Sequence, residues 1–118
     1  MNIGKTIQLI LVSIVFVVAL FSSCKKGKEE VIDCTGVSPS YTSDVKPIIN
    51  ANCLSSGCHS AGSSNGDYTT YDGLKKVALS GSLERRVVTN KSMPVSSPLS
   101  LEDRKKIKCW ISSGSPNN

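Results

Sequence analysis

The chain opens with an apolar run from Ile7 to Phe21, broken only by Gln8 and Ser13, after a single lysine at Lys5. Ser22 and Ser23 then lead into Cys24. A positive start, an apolar middle and small residues before a cut site describe an export signal. The run ends too soon and too sharply for a permanent membrane span. From Lys25 to about Ser38 the pattern dissolves into charged and turn-forming residues, which reads as a tether. The remaining 39–118 carry the periodicity of one small domain with a thin core.

Within that domain the apolar positions recur at helical spacing. Val45, Ile48 and Ile49 form a stripe leading through Asn52 to Cys53, with Thr42 or Ser43 as N-cap, Asp44 at the positive end and Pro47 in the first turn. Ser55, Ser56 and Gly57 end this helix, and 60–70 is a polar loop in which Tyr68, with Tyr71 just beyond it, turns inward. YDGLKKVALSG predicts a short helix burying Leu74, Val77 and Ala78, with Gly81 as its stop. SLERRVVTN fits either a helical turn or an extended piece. KSMPVSSPL is irregular, with Met93 held extended by Pro94. The last helix is the clearest: Ser100 and Asp103 form an S-x-x-D start, Leu101, Ile107, Trp110 and Ile111 one side, and Arg104, Lys105 and Lys108 the outside. No strand alternation appears, so the class is all-α.

Charge changes this picture little. The net charge of +5 comes from basic residues scattered among acidic ones, which gives a soluble face and juxtamembrane lysines rather than a nucleic-acid surface. Cysteine changes it more. Cys53, Cys58 and the single histidine, His59, sit in ANCLSSGCHS, and Cys34 and Cys109 stand far from them. Two thiols followed at once by an imidazole suit covalent haem attachment, although C-x-x-C-H is the usual form and here four residues lie between the cysteines. A local Cys53–Cys58 disulfide is the alternative, and zinc is disfavoured for want of further ligands. After export removes Met1, Met93 is the single methionine, and low-spin electron-transfer haems commonly pair axial His with axial Met. In an oxidising compartment Cys34 and Cys109 read as one disulfide, the other reading being two separate buried thiols.

Two resemblances follow. LFSSC followed by KK resembles the lipobox of Bacteroidetes-like bacterial lipoproteins, with Phe21 departing from the usual leucine. It implies a signal peptide over 1–23, an acylated Cys24 opening a tether over 24–38, and a lipid-anchored domain at the cell envelope, in the periplasm with the outer membrane as one option. V-K-P-I-I-N-A-N-C, C-H-S, S-M-P, L-S-x-x-D and I-x-x-W-I-x-x-G together resemble a small mono-haem cytochrome c domain over about Tyr41 to Gly114. That likeness implies terminal helices crossing beside one covalent haem c, with Trp110 packed at the crossing. Cys53 and Cys58 would be the thioether pair, and His59 and Met93 the iron ligands. The implied function is one-electron transfer to redox protein partners at the membrane, carriage rather than catalysis, with no role for nucleic acid. The rival expectation is a haem-free, disulfide-stabilised lipoprotein with a binding or scaffolding role.

Overall fold

The computed structural model describes residues 3–4 and 30–118. The chain divides into a unit Met1–Val31, nearly all of it outside the described residues, and a unit Ile32–Asn118. The expected signal peptide, the Cys24 acylation site and most of the tether therefore lie outside the described residues. Among the described residues no helix is long and apolar enough to cross a membrane.

The unit Ile32–Asn118 is all-α. Helix α1 is a π-helical turn, Tyr41–Val45, running directly into α-helical Lys46–Asn52. Helix α2 is Tyr71–Leu79, α3 is a short π-helical segment Glu84–Thr89, and α4 is Leu101–Ser112. No strand occurs among the described residues.

Helix α1 begins earlier than the apolar stripe implies. Ser40, not Thr42 or Ser43, is the cap: its backbone is extended and its Oγ accepts from Ser43 N–H at 2.9 Å. Asp44 reaches back to accept from Ser40 N–H at 2.9 Å, so the reciprocal cap is closed one residue later than in the usual box. The wide first turn explains the extra residue. Pro47 has no N–H to offer the carbonyl four residues back and crowds it, and the π-helical turn ends just before it. The stop of α2 is as expected: Gly81, at φ +74, donates to Ala78 O at 3.0 Å. SLERRVVTN resolves as helical because Leu83 and Val87, four apart, both enter the core.

The core joins Tyr41, Val45, Ile48 and Ile49 of α1 to Leu74 and Ala78 of α2, Leu83, Val87 and Leu99, and Ile107 and Trp110 of α4. The first and last helices meet through aromatic rings, Tyr41 lying 6.0 Å from Trp110 and 5.1 Å from Tyr71. Among the described residues, the ion pairs Lys106–Asp44, at 3.4 Å, and Lys108–Glu84 tie α4 outward. The expected faces of α4 need revision at its start. Leu101 is half exposed and Arg104 is buried, its Nε–H donating to Leu99 O at 3.2 Å. A first-turn side chain has no preceding turn to pack on, whereas an arginine stem can be buried once its head finds a carbonyl.

Past α4 the chain turns in a Schellman arrangement, Ser115 N–H to Trp110 O at 2.9 Å and Gly114 N–H to Ile111 O at 3.0 Å. The tail then closes on the aromatic cluster. Trp110 Nε1–H donates to Pro116 O at 2.9 Å, Tyr71 O–H to Ser115 O at 2.8 Å, and Tyr41 N–H to Asn118 Oδ1 at 2.8 Å. A disulfide joins Cys34 to Cys109 across 75 positions, fastening the start of the unit to α4.

Candidate functional site

Beyond α1 the chain enters a compact turn that carries both remaining cysteines. Cys53 N–H still donates to Ile49 O at 2.8 Å, and then Cys58 N–H closes on Ser55 O at 2.9 Å. Gly57 takes φ +78 in that turn, a conformation that disfavours any side chain. His59 N–H returns to Cys53 O at 3.1 Å, so the inserted Leu54–Gly57 stretch folds back on itself rather than spreading the site. The polar loop is then pinned by Tyr68 N–H to His59 O at 3.0 Å and by Asn65 Nδ2–H to Gly57 O at 3.2 Å.

The His59 ring stacks on Tyr68 with centroids 3.9 Å apart and planes 8° from parallel. Its Nδ1 lies 3.2 Å from Gly66 O, an arrangement that puts the ring proton on Nδ1. Burial first, and then the neighbouring Cys58, push the Cys53 thiol up to about 11. Burial also raises the Tyr68 hydroxyl, Cys53 adding to the effect and Arg86 opposing it. Both groups are therefore neutral near pH 7.

These residues line a cavity of about 980 Å³. Cys53, Cys58, His59 and Met93 all border it, so the four positions singled out in the sequence do come together. Helix α2 contributes Val77, the segment entering α3 contributes Leu83, and α3 itself adds Val87. The loop through Met93, whose peptide bond to Pro94 is cis, forms another part of the wall. Gly73 makes the wall possible: a Cβ there would meet Asp67 O at 1.9 Å, so only glycine lets the first turn of α2 lie against the loop. Periodicity does not mark Gly73, Lys76 or Arg86 as site residues, although a glycine inside a helical pattern is a sign of close approach.

The chain finds no match among family models, curated proteins or solved structures. Among the described residues no group of three or more His, Cys, Asp or Glu side chains is placed to hold a metal ion. That finding corrects the cytochrome c resemblance and, with it, the haem c cofactor, the His59/Met93 iron site and the one-electron function drawn from it. Cys53 is a neutral thiol near pH 7, and the His59 ring stacks on Tyr68 with its Nδ1 against Gly66 O. The alternative pairing is corrected too, since Cys53 and Cys58 are free thiols. What stands is the internal disulfide Cys34–Cys109.

Proposed function

We propose that this is a disulfide-stabilised binding module, presented at the cell envelope on a tether from an acylated Cys24, which takes up a small, largely apolar ligand without chemical turnover. The cavity of about 980 Å³ carries this reading. Its size is at the upper end of small-molecule sites, which are concave, mostly apolar and equipped with a few fixed polar groups. His59, locked between Gly66 and Tyr68, is such a group. The packing of α1 on α4 through Tyr41 and Trp110, with the disulfide behind it, keeps the frame rigid while the Met93 loop forms one wall.

Saturable uptake of Nile red, a neutral apolar dye, tests the proposal. One dye per chain is expected, with binding lost in Val77→Trp, which fills the cavity. Val95→Trp, at an exposed lining position, is the second variant should the first not fold. Dye uptake that is absent, or indifferent to both substitutions, would overturn the reading. So would a porphyrin Soret band on the chain recovered from a host competent to attach haem covalently.

A further inference from the structure

Resting on that binding reading, we infer that the ligand is an amphipathic anion, an apolar body ending in an acidic group that Lys76 and Arg86 receive. The body would lie against Val77, Leu83, Val87, Met93 and Pro94, which line the cavity together. Lys76 comes from α2 and Arg86 from α3, yet both border that same cavity and both are exposed. Neither is in an ion pair among the described residues, whereas Lys106 and Lys108 are matched to Asp44 and Glu84. The acidic side chain in the lining, Asp67, does not answer them. Its oxygens accept from Gly62 N–H, Thr69 N–H and Thr69 O–H, which commit it to its own turn. Apolar wall and unmatched cations on one cavity define a ligand with one greasy and one negative part. The acidic group could equally be a carboxylate or a phosphate, and the two cations are the recognition element for either. An arginine and a lysine together suit a planar or tetrahedral oxyanion.

Displacement of bound Nile red by laurate, by dodecyl phosphate and by dodecanol, each below its aggregation concentration, separates the possibilities. At least one of the two anions should displace the dye at about one tenth of the concentration needed for the alcohol. The tighter of the two identifies the head group. The advantage should shrink with added salt and vanish in Lys76→Gln/Arg86→Gln, read as the ratio of the anion and dodecanol concentrations that displace the dye from that same variant. An alcohol as effective as both anions, or an anion preference that survives the double substitution, would overturn the inference and leave the binding module standing. Failure of Nile red itself to bind would overturn the underlying reading as well.

Discussion

Breaking the Cys34–Cys109 disulfide should cost this domain most of its stability. Cys34→Ser is the appropriate perturbation, because Cys34 is only half buried and the Cys109 left behind is a small apolar side chain that already fits its 2 % exposed position. The bond closes a loop of 75 positions. In the chain-entropy description that closure removes about 4 kcal/mol of freedom from the unfolded ensemble. A unit of this size has a total stability of only about 5 kcal/mol, near the low end for folded domains. The variant should therefore sit close to its unfolding midpoint in buffer alone. Trp110 makes the assay direct, being the single tryptophan and wholly buried. Its emission followed against urea, without reductant, should give a midpoint far below that of the intact protein and a somewhat steeper slope, since the uncrosslinked chain exposes more surface on unfolding. A loss smaller than about 1 kcal/mol would refute the reasoning and place the stability in the aromatic cluster and tail instead.

Gly73→Ala should destabilise by at least about 1–3 kcal/mol, the range for overpacking, because the added Cβ meets the Asp67 carbonyl, 1.9 Å away, rather than a side chain that can move. Helix propensity alone argues the other way by about 1 kcal/mol, so a stabilised variant in the same urea assay would rule out the close approach. In a Cys58→Ser background, which removes the smaller of its two causes, Cys53 should still be alkylated by iodoacetamide only above the ordinary thiol range, because burial is the larger cause; a midpoint at the ordinary thiol value would contradict its burial. The sign for stability follows: the folded state holds this proton more tightly than the unfolded one, so the contribution is complete below about pH 9 and is lost as pH rises toward 11. Ser115→Gly should stabilise by about 1 kcal/mol, because Ser115 is held at φ +53 with a buried hydroxyl that has no hydrogen-bond partner among the described residues. Relief of the left-handed strain and of that hydroxyl outweighs the added freedom of the unfolded chain, and a lower urea midpoint would reject this account.

Local chemistry by itself determined much of this protein. The Ser100 cap of α4, with Asp103 N–H on Ser100 Oγ at 3.1 Å, the Gly81 stop of α2 and the absence of strands among the described residues are properties of a few neighbouring residues, and those interactions do not wait for the rest of the chain. The positions of Trp110, Leu74 and Ala78 in the core follow from helical spacing in the same way. The reading of Cys34 and Cys109 as one disulfide is met by the structure. Tertiary structure decided the remainder. Burial of Arg104 depends on the Leu99 carbonyl waiting beside it. The early start of α1 depends on Ser40 and Asp44 closing around a turn widened before Pro47. Above all, neighbouring letters in ANCLSSGCHS do not say what their side chains will meet. The stack of His59 on Tyr68 and the burial of the Cys53 thiol arise from a loop folding back against α2, an approach permitted by the missing side chain of Gly73. Helix caps are set by bonds spanning three or four residues; a cavity wall is set by the meeting of segments that are far apart along the chain.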